Sequence, residues 1–573
     1  MKAGDSVYNV LFGGAAGDGV ETTAAILERV LKRSGCYVFS TRDFMSRVRG
    51  GHNFALLRIA ATPLAAHRDQ LDGLVVFNLE SYELHKNELK EDGFILHDAA
   101  LSINDARAIS LDIAGMAKQA GNARTAGNVM NGALLRLFSL STQEVPDAFA
   151  AALKPALVEV NLKALELGYN AVQPRFKLGS ANTKDHILVT GAQAMSMGAL
   201  AGGIKFYSAY PMSPATTVLT FLQQHQGPFE IAVEQAEDEI AALNMALGAS
   251  YAGARAMVAT SGGGLCLMVE AMGFAGIAEI PVVIADVQRP GSATGLPTRT
   301  EQSDLRFVIS AAQGEFPRMV IAVKDQTDAF YQTARAFAIA EKYQIPVILL
   351  SDQYLADGAA TVPVFDVARA AGQVKPFAAE AKGAQPSEQG VAKRYLLTET
   401  GVSPLLVPGK SEYAVCVDSD EHDEYGKITE SAEVRNAMTE KRMKKLELLK
   451  AELQEPELLG GEEFDTLLVG FGSTYGAIAE AVTILRAEGK NVSALAFNDV
   501  WPLPVQNLTK YAPKAKQIIN VEQNATGQLA SLMREVALVG CTESLLKYDG
   551  RQISVDEIVN GVNKHLTGKG GEK

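Results

Sequence analysis

The sequence predicts a multidomain α/β protein, and three observations carry that reading. The chain has 573 residues, room for three or four domains at ~150 residues each. Short apolar runs such as Pro281-Val282-Val283-Ile284-Ala285-Asp286-Val287 have the length and composition of strands buried in a parallel sheet. Those runs alternate with longer helix-forming segments, and glycines stand where strand gives way to helix.

The first domain spans 1–184. Val7-Tyr8-Asn9-Val10-Leu11-Phe12 reads as a strand, Gly13-Gly14-Ala15-Ala16-Gly17-Asp18-Gly19 as a turn, and the stretch from Val20 to Leu27 as a helix. A glycine turn in that position is the context of a phosphate or dinucleotide loop. The fingerprint departs at two points: the glycine spacing is not GxGxxG, and the strand Tyr37-Val38-Phe39 leads to Ser40-Thr41-Arg42 without a terminal acid. Further on, Arg47 and Arg49 stand just before a flexible Gly50-Gly51-His52 turn, where two guanidinium groups either meet phosphates or are simply solvated.

The second domain, 185–364, holds the densest chemistry. In Tyr210-Pro211-Met212-Ser213-Pro214-Ala215-Thr216, two prolines fix φ and stiffen the loop, so the Ser213 hydroxyl is aimed. The same residues also suit a helix start with Ser213 as N-cap and Pro214 at the first helical position. Phe229-Glu230-Ile231-Ala232-Val233 reads as a strand, Glu237-Asp238-Glu239 as the head of a helix, and Ile240 to Ser250 as its body. The helix dipole alone favours acids there. Small residues around the helix imply tight burial, which makes Glu239 the acid that is desolvated and needs a partner. Ala256 to Thr260 forms a strand that runs into Ser261-Gly262-Gly263-Gly264, a turn open to close backbone approach. Arg289 follows the Pro281–Val287 strand at its carboxyl end, where open sheets place their sites and an arginine captures a carboxylate with two parallel bonds.

Between 365 and 461 the pattern weakens into a linker punctuated by prolines, with an acidic run from Asp418 to Glu424 whose default is a solvated loop. His422 within it is not expected to bind metal. From Glu433 to Leu453 the chain forms a charged helix, an arm for packing on another domain or subunit. The last domain, 462–573, again alternates strand and helix, and its expected role is assembly.

Composition narrows the function. A net charge of −13 opposes general nucleic-acid affinity. No run approaches ~18 apolar residues and the first residues are not those of a signal peptide, so no membrane span and a cytoplasmic location are expected. The four cysteines form no CxxC pair and the eight histidines no ligand spacing, so this chain is expected to hold no metal and no iron–sulfur cluster.

Taken together, the loop Tyr210–Thr216, the glutamate before Gly248-Ala249-Ser250-Tyr251-Ala252-Gly253, the Thr260-Ser261-Gly262 turn and the long run from Gln288 to Thr298 resemble the α subunits of 2-oxoacid:ferredoxin oxidoreductases. The resemblance is collinear over nearly the whole chain. Gly401-Val402-Ser403-Pro404 and Glu421-His422-Asp423-Glu424 resemble the 2-oxoglutarate branch in particular.

That resemblance implies an N-terminal γ-type α/β domain, a parallel-sheet domain of the thiamine diphosphate pyrimidine-binding type and a transketolase C-terminal-like domain. It implies that Glu239 hydrogen-bonds the coenzyme's aminopyrimidine, with Glu237, Ser261 and Gly262 beside the coenzyme, and that Ser213, Arg289, Tyr210 and Thr216 hold the substrate. Coenzyme A falls to Arg47, Arg49 and His52. The implied β subunit carries Mg2+, the diphosphate half of the site and a [4Fe–4S] cluster that passes electrons to ferredoxin, in an (αβ)2 heterotetramer. Gly17-Asp18-Gly19 resembles the metal-binding start of a thiamine diphosphate motif, but no paired asparagines follow. The implied reaction is the CoA-dependent oxidative decarboxylation of 2-oxoglutarate to succinyl-CoA, or its reversal as CO2 fixation in a reductive TCA cycle. The alternatives are pyruvate or another 2-oxoacid as substrate, a dinucleotide-binding flavoprotein, and a non-catalytic scaffold subunit.

Overall fold

A computed structural model describes residues 7–45, 50–374 and 386–566. The chain forms two units. The first comprises Met1–Thr190 with Asp357–Val364 and Ser554–Glu557, and the second Gly191–Ala356, Phe365–Ile553 and Ile558–Lys573.

In the first unit an eight-stranded sheet is built around Tyr8–Ala16, which pairs antiparallel with Gly50–Ala60 and parallel with Leu71–Val76. Its strands are buried because Val10, Phe12, Leu57 and Val75 pack under the helices Val20–Arg33 and Ala126–Leu137. The expected glycine turn is shorter than the sequence suggests: the strand runs through Gly13 and Gly14, and the reversal is made by Gly17 (φ 104°) and Gly19 (φ 91°). The Asp18 carboxylate closes it by accepting the Ala15 N–H at 2.8 Å. Tyr37–Asp43, the strand after the helix, is separated from Tyr8–Ala16 by the antiparallel Gly50–Ala60. The adjacent parallel strand–helix–strand unit of a dinucleotide fold is therefore not formed here. His186–Thr190 also belongs to this sheet, paired with Ala359–Pro363, rather than opening the second domain.

The second unit carries two sheets. The larger has the order Asp499–Trp501, Met319–Ala322, Pro346–Asp352, Val282–Gln288, Ala256–Thr260, Phe206–Ala209, Ala232–Gln235. All are parallel except the edge strand Asp499–Trp501, which comes from the C-terminal part of the chain. Every residue of Val282–Gln288 and Pro346–Asp352 is buried, the reason these segments read as mostly apolar runs rather than alternating ones. Two local readings are corrected. The helix Thr216–Phe229 takes up the start of the expected 229–233 strand and ends at Glu230 in the left-handed region (φ 50°), so the strand is Ala232–Gln235. Ser213 does not cap that helix; its N-cap is Ala215.

The smaller sheet, Glu457–Leu459, Val492–Phe497, Thr466–Phe471, Gln517–Glu522, Glu543–Leu546, belongs to the last domain. Its apolar side joins one core with the larger sheet's helices through Leu467, Val469 and Phe497.

The 365–461 segment is more ordered than a linker. Its helix Ala432–Lys450 is pinned by Lys441 and Lys445, which pair with the fully buried Glu279. The acidic run is likewise not a solvated loop. His422 is fully buried against Tyr395, with ring centroids 4.0 Å apart, and Glu421 holds Arg442 at 2.8 Å.

Candidate functional site

Strand order assembles the site. Phe206–Ala209 has Ala232–Gln235 on one side and Ala256–Thr260 on the other, so the chain leaves it first in one direction and then in the other. Such a switch point opens a crevice at the carboxyl ends of the strands. The loops leaving four neighbouring strands are the Tyr210–Thr216 loop, the segment ending in Glu239, Ser261-Gly262 and the run from Arg289. Residues spread over some eighty positions of sequence thus meet at one sheet end.

Glu239 starts the helix Glu239–Tyr251, and Asp238 caps it by accepting the Ala241 N–H at 2.7 Å. The cap accounts for Asp238 alone. Glu239 is 3% exposed and its Oε1 has no hydrogen-bond partner, whereas Glu237 is exposed. A buried carboxylate oxygen without a donor is costly, so this position suits a ligand that supplies one.

Gly262 and Gly264 prove to be the first turn of the helix Gly262–Ile277 rather than a free loop. A Cβ on Gly264 would collide with the Thr260 hydroxyl and lie 2.7 Å from Glu239 Oε1, and one on Gly262 would lie 2.7 Å from Asp304 Cγ. The glycines are there so that acids can pack on the helix start. Gly264→Ala is therefore expected to cost about 1–3 kcal/mol by overpacking and to displace Glu239, lowering both the melting temperature and the activity. Gly263→Ala, whose Cβ has nothing nearer than Ala293 O at 3.7 Å, is the control that leaves both unchanged.

Arg289 reaches back to the proline loop, donating from Nη1 to Ser213 O at 2.7 Å. Burial lowers its pKa, and attraction to Glu239 opposes that shift, which ties the two side chains electrostatically. Ser213 and Tyr210 are exposed and Thr216 half-buried, so the loop lies at the surface. Ser261, by contrast, is fully buried and its hydroxyl has no partner.

Arg47 and Arg49 lie outside the described residues. In the first unit, His52 shares hydrogen bonds through both ring nitrogens, Nε2 with His85 Nε2 at 2.8 Å and Nδ1 with Ser81 Oγ at 3.2 Å. His85 Nδ1 in turn meets Glu88 at 2.8 Å. Burial and then His85 lower the His52 pKa.

Three residues escaped the sequence reading. Asp286 is fully buried, and neither of its oxygens has a partner among the described residues; Asp304, whose Oδ2 is likewise unpartnered, is held over the same strand face by donating its N–H to Gln288 Oε1 at 3.0 Å. The available signal was an acid inside an otherwise apolar strand. Gln302 is the second kind of omission. It donates from Nε2 to Phe471 O at 2.8 Å and from its backbone to Gln523 O at 2.7 Å, docking the last domain onto the loop that carries Asp304.

The fold and this site define an α/β oxidoreductase subunit with a thiamine-diphosphate-type parallel-sheet domain. Three family models match in succession: pyruvate ferredoxin/flavodoxin oxidoreductase over residues 9–171, the thiamine-diphosphate-binding part of pyruvate flavodoxin/ferredoxin oxidoreductase over 197–441, and pyruvate:ferredoxin oxidoreductase core domain II over 465–558. The 2-oxoacid:ferredoxin oxidoreductase subunit alpha of Saccharolobus solfataricus is 31% identical, over 96% of this chain and 96% of that relative. The 2-oxoglutarate oxidoreductase subunit KorA of Mycobacterium tuberculosis is 30% identical, over 87% of this chain and 75% of that relative. A solved 2-oxoglutarate:ferredoxin oxidoreductase from Magnetococcus marinus, with 2-oxoglutarate, coenzyme A and succinyl-CoA bound, is 31% identical with a TM-score of 0.89, covering 98% of this chain and 99% of that one. The chain belongs to the 2-oxoacid:ferredoxin oxidoreductase family, as an alpha subunit. Among the described residues, no helix is long and apolar enough to cross a membrane.

Proposed function

We propose that this alpha subunit takes part in the CoA-dependent oxidative decarboxylation of 2-oxoglutarate to succinyl-CoA and CO2, with ferredoxin as electron acceptor. The observation that carries the reading is the buried, donor-less Glu239 Oε1 at the switch point, with Arg289 electrostatically coupled to it. That oxygen fits a ring nitrogen of the coenzyme, and the glycines at 262 and 264 let Asp304 and Glu239 pack onto the helix start beside it. Thiamine diphosphate, when bound, supplies the nucleophilic carbon that takes up the keto carbon and spreads the charge left by CO2.

The rest falls to this chain's residues. Glu239 shares a proton with the coenzyme ring, a task suited to an acid screened from water. Arg289 orients the substrate's carboxylate, with Ser213, Tyr210 and Thr216 at the same mouth and Ser261, Gly262 and Glu237 on the coenzyme side. His52, Arg47 and Arg49 serve coenzyme A, with the His52 ring held in place by His85 and Ser81. We infer that the partner subunit holds Mg2+ and the [4Fe–4S] cluster, in an (αβ)2 assembly in the cytoplasm. Two electrons leave one at a time to ferredoxin, and reduced ferredoxin can drive the reaction backwards as CO2 fixation.

Relatives named for 2-oxoglutarate support that substrate over pyruvate. The deciding experiment is a 2-oxoacid panel on the complex purified with its partner chain. A kcat/KM for 2-oxoglutarate more than tenfold above that for pyruvate is expected, since a site built for a second carboxylate rejects substrates lacking it; the opposite order moves the enzyme to the pyruvate branch. Arg289→Lys, which loses the planar fork, is expected to raise KM for the 2-oxoacid about tenfold with a smaller change in kcat.

A further inference from the structure

We propose that Asp286 is a neutral carboxylic acid in the working enzyme and that it shares its proton with Asp304, beneath the helical turn on which Glu239 also packs. Asp286 lies near the end of the strand Val282–Gln288, is fully buried, and receives no hydrogen bond on either oxygen. The ionisable groups facing this pair are acids and a thiol: Glu301 acts on Asp304, and both aspartates act on Cys266 of the helix Gly262–Ile277. Among the described residues no cation pairs with either aspartate, so a doubly charged carboxylate pair here has nothing to offset the loss of water.

One proton resolves the conflict. An O–H on Asp286 that points to Asp304 gives Asp304 Oδ2 the donor it otherwise lacks, and two adjacent acids without counter-ions cannot both be charged. Burial first, and then Asp304, raises the Asp286 pKa well above the usual carboxylate range. Burial first, and then Glu301, lifts Asp304 to about 6. Near neutral pH the pair therefore keeps one proton and one charge, titrating as a unit.

The pair's place in the fold links it to the coenzyme. Asp304 packs where a Gly262 side chain would stand, and Glu239 Oε1 where a Gly264 side chain would stand, so the pair and Glu239 bear on one helical turn. A second negative charge under that turn would stand against the Glu239 carboxylate without a counter-ion. Protonated Asp286 keeps the count at one. This link rests on the reading of Glu239 given above, whereas the protonation of Asp286 does not.

The test uses the full chain with its partner, in wild type, Asp286→Asn and Asp304→Asn. Infrared difference spectra at pH 8 are expected to show a carboxylic-acid carbonyl band that vanishes in D286N and persists, shifted, in D304N. Isothermal titration with thiamine diphosphate and Mg2+ is expected to give D286N an affinity within about threefold of wild type, because an amide replaces a neutral acid. The thermal midpoint supplies a third readout. The folded pair binds more protons than the unfolded chain, so its stabilising effect is complete below the ordinary aspartate range and lost as pH rises through about 6. D304N should remove that fall. An unchanged infrared band in D286N, or more than a tenfold loss of coenzyme affinity in that variant, overturns the proposal. If the band behaves as expected but Glu239→Gln binds coenzyme and turns over normally, the reading of Glu239 fails and the protonated pair stands.

Discussion

Glu239→Gln should abolish 2-oxoacid-dependent reduction of ferredoxin or of an artificial acceptor, lowering kcat by about 10²–10⁴, the range supplied by one positioned acid–base group. Glutamine keeps the size of the side chain and can still fill the pocket, but it cannot pass a proton back and forth. The structure adds a reason to expect little structural damage. Glu239 Oε1 accepts no hydrogen bond from the described residues, so the substitution takes an acceptor away from none of their donors. Circular dichroism and melting should therefore match wild type while turnover collapses. A variant that works at near-normal rate would return the chain to a scaffold role.

Glu279→Ala should be the most destabilising single change, costing about 3–5 kcal/mol because it strands two buried lysines. Glu279 is fully buried, with Lys441 Nζ 2.5 Å away and Lys445 also paired to it, and Arg394 donates to its backbone oxygen at 2.8 Å. Burial disfavours all of these charges. For Glu279, two ammonium groups outweigh burial and hold its carboxyl far below the usual range. Each lysine has only that one carboxylate to share, so burial wins and Lys441 falls to about 8. Hydrogen exchange across Ala432–Lys450 is the direct measurement, with opening faster by roughly two to three and a half decades. Replacing Glu279, Lys441 and Lys445 together by methionine should recover much of the loss, since no charge is then left unpaired. An equal loss in the triple variant would show that packing of the arm, not charge, is decisive.

The two predictions sit at opposite ends of what was legible beforehand. Glu239 was visible because its neighbours in sequence announce its surroundings: an acid at a helix head followed by alanines and glycines must be either capped by dipole alone or buried with a purpose. Arg289 was visible in the same way, as a guanidinium just past a buried strand. Glu279 was not, because its partners lie more than 150 positions away on a helix that reads as charged and solvent-facing. His422 shows the same limit. An acidic run has every local mark of a wet loop, and only the packing of Tyr395 against it turns the imidazole inward. Ser213 as a helix cap was decided by one turn of backbone, since the loop continues to Ala215 before the helix begins.

By itself the amino-acid order determined the elements and the chemistry each one carries. Apolar runs, glycine junctions and proline-stiffened loops are short-range properties, fixed by sterics and hydration within a few residues. Only the tertiary structure decided which of those elements are neighbours. Strand order brought Ser213, Glu239, Gly262 and Arg289 to one sheet end, Gln302 tied the last domain to their loop, and Asp304 was set over the strand face that carries Asp286. The physical reason is that these contacts join residues far apart along the chain, and their free energy depends on crossover order and shared burial, which no local window of sequence contains.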